Sequence, residues 1–504
     1  MKTHAGFVWA VVAQAVLAVP LSRNDTLSSR GGSPEEAKEL ERRGSRSAHF
    51  LLVNATPWTF REAGQHTYQM ESWEFPPTIA PGTSTRIYMK GEGGKDDGGE
   101  FSYAIDGLGT GGEPSVFEVQ YRGAGLFSDP VVQVKFSSLE TLHNFAGSTL
   151  QLEWREDNNI PFAIASSEEN PASPSIQPMI VSSNPPEDWM HATYDRIACL
   201  SLRELAIPGT HDTGMSVVSS GGSGASFLNE DVVITQELGV KEQLQFGARW
   251  FDIRPVISGG DWTTGHYSFS LGQWQGANGE YLLPMIDRIN EFTAANKELV
   301  ILNLSHGLNT DLFAGDEGNR LTQAEWDELM TVMLGLQNRV TGRGGEADVS
   351  QLKVSDLISD RAAVLIVVDD LVDGRDNERV NTGDFADEGF FRRDQMPLFD
   401  RFADEDDQDG MIADQLAKLK TQRQVSDSEM FLLSWTLTQS DILDLATQSN
   451  VKNGQAANRA LVEKLWPEMS SSSYPNIINV DAYPHDGGIA TLAMAINYHF
   501  AKKC

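Results

Sequence analysis

Two six-residue runs, LVILNL at 299–304 and AVLIVV at 363–368, hold one polar side chain between them and show no alternation. A strand with one face in water alternates apolar and polar residues; a strand apolar throughout is buried on both faces. That burial calls for a parallel sheet covered by helices, because parallel neighbours can only be joined by long crossovers. Further apolar runs at 205–208, 249–254, 265–267, 431–436 and 477–481 read as companion strands. Helical spacing recurs at 279–298, 321–336 and 487–504. Seven strands, with an eighth expected near 389–398, predict a (β/α)8 TIM-like barrel, regular or irregular, over residues 188–504.

The region before it has a different rhythm. Residues 48–166 hold short alternating runs such as Phe117/Val119/Tyr121 and Val132/Val134/Phe136, separated by glycine-rich turns. They predict an all-β, sandwich-like domain. Its Trp58, Tyr68, Trp73 and Phe75 are expected mainly to pack its core, with a ligand-facing patch as the lesser reading. A Pro/Ser-rich linker spans 167–187. At the N-terminus, Lys2 and the apolar run after it read as a signal peptide over 1–19. Residues 20–47 then form either a removable pro-segment or a disordered tail.

A formal net charge of −32 argues against nucleic acid and against electrostatic adhesion to anionic membranes. No later stretch is long and apolar enough to span a bilayer, so the chain reads as secreted. Asn24, Asn54 and Asn303 lie in glycosylation sequons, Asn303 in a buried-looking strand. The acidic run at 403–410 opens like a calcium loop, but the twelfth position from Glu405 is Leu416, so it reads as a solvated loop. The two cysteines, Cys199 and Cys504, fit one disulfide. Cys199 precedes the first barrel strand, and the last helix runs back toward that same end of the barrel.

In such a barrel, chemistry gathers where strands end. His211 follows the first expected strand within LAIPGTHDTGMS, and Asp252 and Arg254 share one face of GARWFDIRP. His266 sits on the third expected strand, His306 ends the fourth, and Asp481 ends the last. Two imidazoles and a guanidinium supply a base, an acid and an anion clamp for phosphoryl transfer. A lone strand-end histidine is usually a structural hydrogen-bonder, and Asp252–Arg254 alone reads as an internal ion pair. Three ordered motifs converging on one face are harder to explain that way. Trp435, Ser434 and Tyr483 are placed near the pocket by position alone.

PGTHD, FDIR, TGHYSF and ELVILNLSH together resemble the X-domain of phosphatidylinositol-specific phospholipase C, in its bacterial single-barrel form. The resemblance runs from about residue 188 to 504. It implies His211 as general base, His266 as general acid, and Asp212, Asp252 and Arg254 around the phosphate. Asp481 is the expected partner of His211, with Trp435, Tyr483 and His306 in substrate binding. Metal-dependent relatives carry an acid where Arg254 stands and an asparagine where Asp212 stands, so calcium-independent chemistry is implied, with no cofactor and no metal. The implied substrate is an inositol phospholipid or a glycosyl-phosphatidylinositol-type lipid, met in transient contact with a membrane surface by a monomer, through a cyclic inositol phosphate. The alternatives are another phosphodiesterase of this barrel superfamily and a catalytically idle secreted binding or lytic module.

Overall fold

The computed structural model describes residues 45–504 apart from 93–96, 111, 124–128, 153, 155–158, 167–178, 222–229, 271–272, 313–318, 373–377, 439–448 and 484–487. The expected signal peptide and most of the polar segment after it lie outside the described residues. The last residues of that segment belong to a strand, Ser45–Ala55.

Residues from Ser45 onward build two stacked sheets. One is five-stranded, in the order Ile180–Ser182, Asn159–Ser166, Ser45–Ala55, Thr83–Glu92, Met70–Trp73. Its strands Ser45–Ala55 and Asn159–Ser166 run parallel. The other has six antiparallel strands, from Thr78–Ile79 through Phe60–Tyr68 to Thr149–Leu152. Between them lies an aromatic core that includes Phe50, Phe60, Phe75, Phe101, Phe117 and Phe162. Trp58, Trp73 and Phe75 are buried in it, while Tyr68 is exposed. Ile180–Ser182, inside the stretch read as linker, forms the edge strand beside Asn159–Ser166.

The five-stranded sheet is the joint of the molecule. Successive side chains of a strand point to opposite faces. In Ser45–Ala55, Ala48, Phe50 and Leu52 therefore enter the sandwich core, and Leu51, Val53 and Ala55 enter the second core. Asn159–Ser166 repeats the pattern, offering the small Ala163 and Ala165 to the second core. That allows the last helix, Gly488–His499, to pack closely against it. The Asn54 amide nitrogen donates to the carbonyls of Trp58, Ile79 and Ala80, and Asn303 is buried, so neither is an accessible sequon.

The second core belongs to eight parallel strands in the order Phe390–Arg392, Ala363–Val368, Leu299–Leu304, Trp250–Ile253, Ile207–Thr210, Ile477–Val480, Met430–Trp435, Leu398–Asp400. This is a curled, barrel-like sheet left open between its two shortest strands. The expected third strand, at 265–267, is not part of it. It lies in Asp261–Ser270, within a separate four-stranded sheet with Gln273–Tyr281, Pro255–Ser258 and Leu308–Asn309. Burial tells them apart: barrel strands are buried at nearly every position, whereas this hairpin is buried at 263–265 and 275–280 but opens toward its tip at 266–269. Leu299–Leu304 is thus the third barrel strand, and the unplaced eighth resolves into Phe390–Arg392 and Leu398–Asp400.

Helices Leu282–Ala295, Gln323–Met333 and Gly488–His499 fall where their spacing predicts. Thr322 and Glu325 form a capping box that starts the second of these. The acidic run read as a loop ends by capping a helix, because Asp407 accepts from the Gly410 N–H at the start of Gln408–Gln422. Cys199 and Cys504 are bonded, with Cα atoms 5.4 Å apart. Arg196 secures the same chain end by donating to the carbonyls of Tyr498, Ala501 and Lys502. Among the described residues no helix is long and apolar enough to cross a membrane.

Candidate active site

Curling the sheet makes its first strand a neighbour of its last. Thr210 pairs with Val480, and the next residues in chain order are His211 and Asp481. His211 Nδ1 lies 2.8 Å from Asp481 Oδ1 across a sequence separation of 270 residues. The other ring nitrogen, Nε2, is 2.7 Å from Arg254 Nη2. A guanidinium has no lone pair to offer, so Arg254 donates and Nε2 accepts. The network assigns one tautomer: His211 carries its proton on Nδ1, toward Asp481, and keeps the Nε2 lone pair in the site.

Asp252 holds the centre. Its Oδ2 accepts from the Asp212 N–H at 3.1 Å and from Arg254 Nε at 3.2 Å, and its Oδ1 accepts from Ser305 Oγ at 3.0 Å. With that proton committed, Ser305 Oγ accepts from His306 Nδ1 at 2.8 Å, leaving His306 Nε2 as an acceptor. Asp212 leaves its strand at φ 44° and turns its carboxylate inward, where neither oxygen has a hydrogen-bond partner. Oδ2 lies 3.5 Å from Arg254 Nη1 and 3.8 Å from His266 Nδ1. His266 Nδ1 is also 3.1 Å from the Val233 carbonyl, which takes its N–H. The side chains of His211 and His266 are each 22% exposed while Asp212 is at 0%, so the imidazoles reach the opening and the carboxylate lies behind them.

The electrostatics differ from group to group. Burial disfavours a proton on His211 and Asp481 favours it; Arg254 opposes, and the net displacement is upward. Burial pushes the Asp212 carboxyl up to about 7 despite Arg254. Burial works the same way on Asp252, but Arg254 and then His211 overcome it and hold it at about 2. Burial, then the charges of Arg254 and His211, bring His266 down to about 3. Burial and then Arg254 bring His306 to about 4. Burial disfavours the Arg254 cation, yet Asp212 and Asp252 keep its proton more firmly bound than usual. One fixed cation thus stands among a lone-pair imidazole, a second neutral imidazole and a carboxylate that faces the cation but accepts no hydrogen bond.

A cavity of about 300 Å³ opens beside Arg254 and His306. Tyr267 and Trp274 of the hairpin form part of its wall, with Arg320, Asp369, Asp370 and Arg379. Asp370 accepts from the N–H groups of Gly307 and Leu371, fixing the turn that carries His306 at φ 53°. Asp369 pairs with Arg379 Nη1 at 2.8 Å and Arg393 Nη1 at 3.2 Å. Among the described residues no group of three or more His, Cys, Asp or Glu is arranged to hold a metal ion.

The structure therefore brings together His211, Asp212, Asp252, Arg254, His266, His306 and Asp481. Trp435 and Tyr483 lie elsewhere, which corrects their placement by sequence. The Trp435 indole points into the helix layer and donates to the Ala457 carbonyl. The buried Tyr483 hydroxyl donates to the Phe246 carbonyl. His266 arrives on the hairpin rather than on a barrel strand. The paired acids Asp369 and Asp370 were missed, although they end the strand AVLIVV and obey the same strand-end rule as the rest. Arg320 and Arg379 come from irregular segments with no local pattern.

No protein-family model and no curated protein matches this sequence. Solved structures do. A variant of phosphatidylinositol-specific phospholipase C from Staphylococcus aureus is similar at 16% identity and a TM-score of 0.41, over 60% of this chain and 92% of that one. The phosphatidylinositol-specific phospholipase C from Listeria monocytogenes is similar at 16% identity and a TM-score of 0.39, over 61% of this chain and 98% of that one. A second Staphylococcus aureus structure, described for modulation of membrane binding, gives 17% identity and a TM-score of 0.40 over 60% and 92%.

Proposed function

We propose that this chain is a phosphodiesterase that cleaves inositol phospholipids by internal transfer, releasing a cyclic inositol phosphate and diacylglycerol. The observation that carries the reading is His211, held between Asp481 at 2.8 Å and Arg254 at 2.7 Å with its lone pair facing the site. A neutral imidazole with its far N–H on a buried carboxylate is the arrangement of a general base. His211 Nε2 takes the proton of a hydroxyl adjacent to the phosphodiester, and that oxygen forms the new bond to phosphorus. The bond from phosphorus to the diacylglycerol oxygen breaks, and His266 Nε2 gives the departing oxygen its proton. Attack from a neighbouring hydroxyl needs little loss of translational freedom, which is worth effective molarities of about 10⁵ M or more.

Arg254 is bound to His211 in the free site, so a substrate phosphate must draw the guanidinium to itself. That movement frees Nε2 as the anion arrives. The same anion offsets the positive charge that keeps His266 unprotonated, and Asp212, 3.8 Å behind Nδ1, then stabilises the imidazolium. The cavity beside Arg254 offers Asp369, Asp370 and the guanidinia of Arg320 and Arg379 to a polyhydroxylated headgroup.

We further propose that the protein is secreted and acts as a monomer in transient contact with lipid surfaces. The run at 1–19 that reads as a leader supports export, and the Cys199–Cys504 bond fits an oxidising compartment. Incubation with inositol phosphodiesters, followed by phosphorus NMR with and without EDTA, tests the reaction. A cyclic phosphate formed at equal rates in both is expected; no turnover of any inositol phosphodiester would overturn it.

A further inference from the structure

Beyond the groups that meet substrate, a buried glutamine ties the two halves of the proposed base to each other. Gln236 is fully buried. Its Nε2 donates to the His211 carbonyl at 2.6 Å and to the Val480 carbonyl at 3.0 Å, and its Oε1 accepts from the Tyr483 N–H at 3.0 Å. One carboxamide therefore spans the loop that carries His211 and the loop that carries Asp481. Thr235 adds two ties to the same loops, donating from Oγ1 to the Asp212 carbonyl at 3.0 Å and accepting from the Ala482 N–H at 2.7 Å. Three residues before Gln236 in the same segment, the Val233 carbonyl takes the Nδ1 proton of His266.

Both loops need holding. Asp212 and Ala482 leave their strands at φ 44° and φ 48°. Non-glycine residues in that region are strained and persist only where the surroundings impose them. The paired register between the two strands ends at Thr210 and Val480; one further backbone bond, from the His211 N–H to the Val480 carbonyl at 3.0 Å, reaches His211 but not Asp481. Strand pairing therefore holds the His211 backbone at one point and leaves Asp481 outside the ladder.

We propose that Gln236 is a positioning residue that sets the His211–Asp481 pair, within a segment, 233–236, that also fixes the tautomer of His266. The inference rests on the reaction proposed above for its kinetic consequence, but not for its structural one. A misplacement of about 1 Å in a reacting pair can cost about 10²-fold in rate. Losing the His211–Asp481 bond also changes the acidity of the base. His211 is faced by Asp481 from the last strand, Asp252 and Arg254 from the second, His306 from the third, Asp400 from the sixth, His266 from the hairpin and Asp212 from its own loop. Asp481 is the largest of these influences favouring a proton. Loosening it lets His211 lose its proton at lower pH, and the acidic limb of the rate profile moves down.

The test uses Gln236→Met, which keeps volume and removes all three hydrogen bonds, and Gln236→Ala. Asn497→Ala is the matched control: Asn497 is equally buried and bridges backbone groups, but at Ala206, the opposite end of the first strand. Both Gln236 variants should lose about 10- to 100-fold in kcat, with KM little changed and the acidic limb displaced to lower pH. Asn497→Ala should lower thermal stability and leave the limb in place. Nitrogen NMR of the imidazoles should show the protonated Nδ1 of His211 in the wild type and its loss of a fixed partner in the Gln236 variants. A Gln236→Met enzyme with wild-type kcat and limb overturns the proposal, as does the same limb shift in Asn497→Ala. If the wild type turns over no inositol phosphodiester, the reaction fails while the imidazole signature still decides the role of Gln236: an unchanged His211 signal in Gln236→Met rejects it.

Discussion

Asp212 is the group whose removal should separate stability from activity. Its carboxylate is fully buried, neither oxygen accepts a hydrogen bond, and burial raises its pKa from 3.8 to about 7. At about 1.36 kcal/mol per pH unit, that displacement is worth about 4 kcal/mol. The folded chain holds this proton more tightly than the unfolded chain does. The stabilisation from the neutral form is therefore complete below pH 4 and lost as pH rises through about 7. Asp212→Asn keeps the shape and removes the charge, so its stability should not follow that loss. Urea unfolding of both proteins at pH 4, 6 and 8 measures the difference. The variant's advantage over wild type should grow with pH, by up to about 4 kcal/mol between the extremes. Over the same range kcat should fall, because His266 loses the carboxylate behind it. A difference in unfolding free energy that is the same at pH 4 and pH 8 refutes the reasoning.

Four other outcomes follow from the geometry. His211→Ala and His266→Ala should each lower turnover by about 10²-fold or more, the scale of a lost general acid or base; near-normal turnover in a folded variant removes that residue from the reaction. Arg254→Lys should lose nearly as much as Arg254→Ala in steady-state assays, because an ammonium cannot reproduce the planar fork that meets His211, Asp252 and phosphate together. Wild-type turnover should survive chelation, and Arg254→Asp with added calcium should recover only part of it; complete loss of wild-type activity in EDTA counts against the guanidinium as the charge-neutralising group. Cys199→Ser should lower the unfolding free energy by about 2–5 kcal/mol, since the bond closes a span of 305 residues; two separately alkylatable cysteine peptides in a non-reduced digest rule the bond out.

The strands legible in the sequence were those whose burial leaves no choice of period. LVILNL and AVLIVV lie in the barrel sheet because no half-exposed strand tolerates such runs. Phe390–Arg392 and Leu398–Asp400 escaped notice because three residues carry no period at all. The hairpin around His266 was misassigned because TGHYSF is short and its pairing is antiparallel and local. Within the site, His211, Asp252, Arg254, His306 and Asp481 could be located because the end of a buried strand has one address. Trp435 shows the limit of that rule. Strand position gives height along the barrel, but only the period of two gives the face, and Trp435 faces the helices. Gln236 left no signal, since it acts through the backbone carbonyls of residues far away in sequence.

The mouth of the sheet is where the chain departs from what packing alone would select. Asp212, His306 and Ala482 follow three barrel strands, and all three are non-glycine residues in the left-handed region. A carboxylate beside them is buried without a hydrogen bond, and two imidazoles have pKa values held well below the usual imidazole range. Each of these costs stability, and such costs persist only where the rest of the fold offsets them. Here the reserve lies at the other end and on the flank. Arg249 and Glu298 pair fully buried beneath the strands, with Glu298 also accepting the N–H groups of Met190 and His191. The disulfide and Arg196 fix the last helix at that end. The five-stranded sheet of the sandwich covers that helix with a second apolar face. On this argument the sandwich is part of the scaffold that lets the mouth remain strained, whatever else it binds. Cutting it away should destabilise the barrel first and silence the site as a consequence, rather than merely release an independent module.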